Sequence, residues 1–72
     1  MATVDARGLA CPLPLALAKR EMDRLSPGET LIVLATDPEA PIDLGAWAAR
    51  EGHACNQRER EGFHEFSLTK AR

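Results

Sequence analysis

The run Thr30-Leu31-Ile32-Val33-Leu34-Ala35 restricts the fold more than any other part of the chain. It is short, continuous and rich in β-branched residues. Ser26-Pro27-Gly28-Glu29 breaks the chain before it, and Thr36-Asp37-Pro38-Glu39-Ala40-Pro41 forms a loop after it. The run therefore reads as a central strand buried on both faces, or nearly so. Such a strand needs cover, and the flanking segments must supply it.

Two flanking segments are helical in pattern. The first runs from about Pro12 to Leu25, with Leu15, Ala18, Met22 and Leu25 on one stripe at three- and four-residue spacing. Lys19, Arg20, Asp23 and Arg24 fall largely elsewhere and read as solvated. The second starts between Pro38 and Ile42 and runs to Glu51. Ile42, Ala46, Trp47 and Ala49 give it an apolar side, Gly45 weakens it, and Gly52 suits its C-terminal cap.

Strands complete the pattern. Thr3-Val4-Asp5 reads as a short first strand, followed by a turn at Arg7-Gly8. His53 to Arg60 is polar and only weakly marked as a strand. Glu61-Gly62 is a hairpin turn into Phe63–Thr69, where His64, Phe66 and Leu68 share a face. Lys70-Ala71-Arg72 reads as a frayed tail. The order is βαβαββ, an α/β arrangement with right-handed crossovers and two helices over one sheet face.

The 72 residues make a single small domain spanning 1–72, with room for only a modest core. Chemistry, if present, belongs at the surface. With 44% hydrophobic and 28% charged residues, the composition is that of a globular chain. A net charge of −2 and a pI near 5.6 argue against a broad footprint for nucleic acid. No apolar run reaches the length of a membrane span, and the first residues lack the pattern of a signal peptide. A cytoplasmic location is expected. Cys11 and Cys55 are then expected as free thiols.

The candidate site is Arg7-Gly8-Leu9-Ala10-Cys11-Pro12-Leu13-Pro14-Leu15. Pro12 pushes Cys11 out of the helical region, while proline itself is at ease in a first helical turn. Cys11 thus falls at the N-cap position of a helix that begins at Pro12. Pro12 and Pro14 lack N–H groups, so Leu13 and Leu15 carry the free donors of the first turn. Those donors and the helix dipole favour a thiolate, the nucleophilic form of cysteine. The alternative is a structural cysteine at a helix start. Arg7 either adds positive charge near the sulfur or pairs with Asp5. Gly8 supplies a backbone conformation that other residues resist.

Asp5-Ala6-Arg7-Gly8-Leu9-Ala10-Cys11-Pro12-Leu13-Pro14 resembles the motif of the TusA/SirA-like family of small sulfur carriers. Pro27-Gly28-Glu29, Asp37-Pro38, Asp43, Trp47 and Gly52-His53 fall where that family has similar residues, and the resemblance extends from Val4 to Lys70. It implies a two-layer α/β sandwich: a four-stranded mixed sheet with both helices on one face. It also implies that Cys11 accepts a sulfane sulfur as a persulfide and passes it on. Arg7, Pro12, Leu13, Pro14 and Leu15 would support the sulfur. The donor would be a cysteine desulfurase or rhodanese-like protein, and the acceptor another sulfur-relay protein. The pathway, whether tRNA thiolation, sulfur oxidation or cofactor biosynthesis, is left open. No cofactor, metal, membrane or direct nucleic-acid partner is expected, and the working state is a monomer.

Other residues have simpler readings beside their functional ones. Cys55 is a resolving thiol or, more simply, a small core or half-buried residue. Cys11, His53, Cys55 and His64 lack the close spacing of a zinc site. Asp37, Glu39 and Asp43 suit a helix start, where carboxylates are favourable. The main functional alternative is a regulatory or protein-binding module that keeps the fold without sulfur transfer. RNA binding on the open sheet face is another, disfavoured by the pI and by having only Trp47, Phe63 and Phe66 as aromatic residues.

Overall fold

A computed structural model describes residues 2–71. Its elements are β1 (Ala2–Ala6), α1 (Leu13–Met22), β2 (Thr30–Ala35), α2 (Ala40–Glu51), β3 (Ala54–Arg60) and β4 (Phe63–Thr69). They form a four-stranded mixed sheet in the order β1-β2-β4-β3 with two helices. β1 and β2 run parallel, and β4 pairs antiparallel with both β2 and β3. The expected two-layer α/β fold is therefore present. The β1–α1–β2 unit makes two neighbouring strands end at the same edge of the sheet.

The core lies between one sheet face and the helices. Val4, Ala6, Leu31, Val33, Ala35, Phe66 and Leu68 of the sheet are buried with Ala18 and Met22 of α1 and Leu44, Trp47 and Ala48 of α2. In β2, burial alternates: Leu31, Val33 and Ala35 are buried, whereas Thr30, Ile32 and Leu34 are half-buried. The unbroken apolar run predicted cover on both faces. Only one face has helices, and the other is shielded in part by its neighbours in the sheet.

Helix boundaries shift from the expected ones. α1 begins at Leu13 with Pro12 at the N-cap, one residue beyond the predicted start. It also stops at Met22, before the predicted Leu25. Arg24 and Leu25 instead donate to Glu21 and Met22 in tightened turns, and the Ser26 N–H binds Glu29 Oε1 at 2.6 Å. Pro27 then bars further helix. Leu15 and Leu25 still pack against the core from its margin.

The buried stripe of α2 is Ala40, Leu44, Trp47 and Ala48. Of the residues expected on that face only Trp47 is buried. Ile42 is 67% exposed, and Ala46 and Ala49 are exposed as well. Leu44 sets the true register, because positions 40, 44, 47 and 48 repeat at helical spacing. Gly52 caps the helix with φ at 79°.

β3 is fully exposed at the sheet edge, yet its ladder with β4 runs from Ala54 opposite Thr69 to Arg60 opposite Phe63. Arg60 adds an ion pair with Glu65 at 2.6 Å. The weak apolar signal of this strand follows from its exposure, and its charged residues suit an edge. The expected frayed tail is corrected at two positions. Lys70 exchanges backbone hydrogen bonds with Gly28 and Glu29, and its Nζ binds the Leu25 carbonyl at 2.7 Å. The Ala71 N–H binds His53 Nδ1 at 2.9 Å. Arg72 lies outside the described residues.

Candidate functional site

The loop from β1 to α1 and the loop from β2 to α2 leave the same sheet edge and meet at Cys11. The first is pinned at its root. Asp5 accepts Nε and Nη2 of Arg7 at 2.9 and 2.8 Å and also its backbone N–H at 3.1 Å. The Arg7 guanidinium lies 5.0 Å from the centre of the Phe63 ring. Gly8 follows with φ at 82°, a region that disfavours side chains, and its N–H binds Thr36 Oγ1 at 2.9 Å. That bond joins the two loops.

Asp37 joins them again. Its Oδ2 accepts the backbone N–H of Cys11, and its Oδ1 accepts that of Glu39 at 2.9 Å. Cys11 then enters α1 through a cis peptide to Pro12. The thiol is exposed, and Sγ donates to Asp43 Oδ2 at 2.7 Å. Asp43 stands in the first turn of α2.

These neighbours reverse the expected electrostatics. The hydrogen bond to Asp43 holds the proton on Cys11; desolvation and the charges of Asp43, Asp37 and Glu39 act in the same direction. The thiol is pushed up to about 11 instead of down. A helix N-terminus does favour a thiolate, but three carboxylates close by outweigh a dipole effect of roughly half a charge. Cys11 is thus a protonated, exposed thiol that donates its hydrogen to Asp43.

The other sequence-predicted site residues take these places. The Leu13 N–H donates to the Ala10 carbonyl at 2.9 Å, away from the sulfur. Pro12 is exposed at the N-cap with its carbonyl accepting from Ala16, Pro14 is buried in the first turn of α1, and Leu15 is half-buried against the core. Arg7 is occupied by Asp5, so its positive charge is spent there. Asp37 and Asp43 are the residues that sequence reasoning left as helix-start carboxylates. The signal that finds them is topological: parallel neighbouring strands place the segments that follow them side by side.

Cys55, His53 and His64 are not drawn into this site. Cys55 is exposed on β3 opposite Leu68, which pairs with Leu31. Leu31 lies four residues before Ala35, so Cys55 is roughly 13 Å of strand away from the edge that carries Cys11. This corrects the core or half-buried placement expected for Cys55. His53 packs against Trp47 with ring centres 5.1 Å apart, and His64 contacts Glu59. A groove of about 510 Å³ at the far ends of the helices, lined by residues such as Trp47, His53 and Lys70, does not include Cys11.

Leu13 and Ile42 are 50% and 67% exposed and are the exposed large hydrophobic residues among those described. Leu13 follows Cys11 by two residues, and Ile42 precedes Asp43. The thiol itself is surrounded by the carboxylates of Asp43, Asp37 and Glu39.

Cys11 thus stands exposed where two loops of a small α/β sandwich meet, outside the groove at the far ends of the helices. The family model for sulfurtransferase TusA matches residues 2–70, and the chain belongs to that family. The sulfur carrier protein TusA of Allochromatium vinosum is 41% identical over 70 residues, covering 94% of this chain and 91% of that protein. The putative sulfur carrier YrkI of Bacillus subtilis is 44% identical over 59 residues, covering 82% and 79%. The putative sulfur carrier YrkF of the same organism is 46% identical over 59 residues, but the chain spans only 32% of its length. The crystal structure of a SirA-like protein from Desulfitobacterium hafniense superposes with a TM-score of 0.91 over the whole of both chains, at 27% identity.

Proposed function

We propose that the protein is a sulfur carrier in which Cys11 accepts a sulfane sulfur as a persulfide and delivers it to an acceptor protein. The observation that carries this reading is the exposed Cys11 thiol in contact with Asp43, in a chain of the TusA family. Sulfur exchange needs an accessible sulfur and a place for its proton. That place is the donor sulfur set free by the exchange; in the empty carrier Asp43 Oδ2 accepts the thiol hydrogen at 2.7 Å.

In the acceptance step, Cys11 Sγ attacks the outer sulfur of the donor persulfide. The new S–S bond forms at Sγ and the donor's S–S bond breaks, leaving the donor sulfur to take up a proton. Release to the acceptor repeats the step in the opposite sense. No deep pocket is required, because the cargo is one atom and the partner protein covers the site. Leu13 and Ile42, exposed and close in sequence to Cys11 and Asp43, offer that partner apolar contact. The donor fits a cysteine desulfurase or rhodanese-like protein, and the acceptor a second sulfur-relay protein.

The test uses a cysteine desulfurase, ³⁵S-labelled cysteine and this protein on a non-reducing gel. The wild-type chain should carry label that a thiol reductant removes, and Cys11→Ser should carry none. Equal labelling of both would overturn the assignment to Cys11.

A further inference from the structure

We propose that Asp43 sets how firmly Cys11 holds its sulfur, by stabilising the empty thiol over the loaded persulfide. The inference rests on the sulfur-carrier reading and goes on to the energetics of loading.

The contact from Sγ to Asp43 Oδ2 at 2.7 Å uses the thiol hydrogen. That hydrogen is absent from Sγ once a second sulfur is attached, so loading destroys the bond. Asp37 fixes the Cys11 backbone through its N–H, which keeps Sγ beside Asp43. Among the described residues, no cation pairs with Asp37, Glu39 or Asp43, and Arg7 is committed to Asp5. A hydropersulfide is more acidic than the parent thiol. The loaded form therefore ionises more readily than the thiol and its anion stands against carboxylates, whereas the empty form is a neutral donor to one of them.

The exchange balances as Cys11–S–H plus R–S–S⁻ giving Cys11–S–S⁻ plus R–S–H. One S–S bond forms at Sγ and one breaks in the donor. The pair of the broken bond stays on the donor sulfur, which receives the proton lost by Cys11. Sulfane sulfur moves between two thiols, and no outside oxidant or reductant enters. Asp43 biases this equilibrium to the left, so the carrier gives its sulfur up readily to an acceptor that lacks such a carboxylate.

The experiment equilibrates the protein, in a Cys55→Ser background, with glutathione persulfide and glutathione at a series of fixed ratios without oxygen. Intact mass gives the loaded fraction. Asp43→Asn and Asp43→Ser should both reach half-loading at a persulfide-to-thiol ratio at least about tenfold lower than Asp43, the effect of one pK unit of lost interaction. Half-loading at the same or a higher ratio in both variants overturns the proposal. The pH profile of iodoacetamide alkylation separates the two levels of the account, because it involves no sulfur transfer. Unchanged profiles in the variants would show that Asp43 does not hold the thiol proton, sinking this proposal while leaving the carrier reading intact. Absence of loading at every ratio in all three proteins overturns both.

Discussion

Asp37 holds Cys11 by the backbone: one carboxylate oxygen takes the Cys11 N–H while the other takes that of Glu39. A single side chain thus closes two loops that lie far apart in sequence. Asp37→Ala should free the Cys11 amide and leave the sheet unchanged. Its hydrogen exchange is expected to quicken by about tenfold, in line with one lost charge-assisted hydrogen bond. Amide exchange at Cys11, with Val33 in the core as the reference, measures this. Equal protection of Cys11 in both proteins would show that the contact does not order the loop.

The thiol itself should titrate late. With the folded value raised to about 11, the protonated form is the one the fold favours. That contribution is complete below the ordinary thiol range, near about 8.5, and is lost as pH rises through the folded value. Thiolate absorbance in a Cys55→Ser background should therefore rise near pH 11 and not near pH 8.5. Asp43→Asn should bring the midpoint down. A wild-type midpoint below the ordinary range would contradict the role given to the carboxylates.

Asp5 shifts in the opposite sense. The Arg7 guanidinium and its backbone N–H hold the Asp5 carboxyl down at about 2. Its ionised form is the favoured one, so the stabilisation is present above the ordinary carboxylate range of about 4 and disappears as pH falls towards 2. NMR titration of the Asp5 carboxyl should show the low midpoint, and Arg7→Gln should raise it towards the ordinary range, with the backbone N–H of residue 7 still holding it partly down. An unaltered midpoint in that variant would mean that Arg7 is not the cause.

The two faces of α2 give a contrasting pair. Leu44 is fully buried, and Leu44→Ala should cost about 2–5 kcal/mol. A small single-core domain rarely has more than about 3–5 kcal/mol to lose, so urea unfolding should show this variant largely unfolded or close to it. Ile42→Ala should change stability by less than about 0.5 kcal/mol, because the side chain is exposed. It should instead slow sulfur delivery between partner proteins while leaving loading from small persulfides unchanged. A large loss of stability in Ile42→Ala, with normal protein-to-protein delivery, would reverse the assignment of faces.

Much of the fold was legible in the residues. Thr30–Ala35 has the apolar density of an inner strand, and the Pro-Gly breaks delimit the helices around it. The register of α2 was not, since Ile42 and Ala46 are as apolar as the residues that are buried. Only the position of the sheet decides between Ile42 and Leu44. At the site, Cys11 stood out through its prolines. Its electrostatics did not, because they come from Asp37 and Asp43, 26 and 32 residues away. Local sequence shows a helix start, which lowers a thiol pKa. Three-dimensional neighbours add carboxylates, which raise it further than the helix lowers it.

The central claim is that Cys11 carries the sulfur. Its most direct test is intact mass followed by fragment mapping of the protein after exposure to a small persulfide and removal of excess reagent. A single adduct of about 32 Da, one sulfur atom, should map to the Arg7–Leu15 segment and vanish on treatment with reductant. Cys11→Ser should show no such adduct there, with Cys55 unmodified at low reagent. An adduct of the same size and yield on Cys11→Ser, or one mapping only to Cys55, would contradict the account.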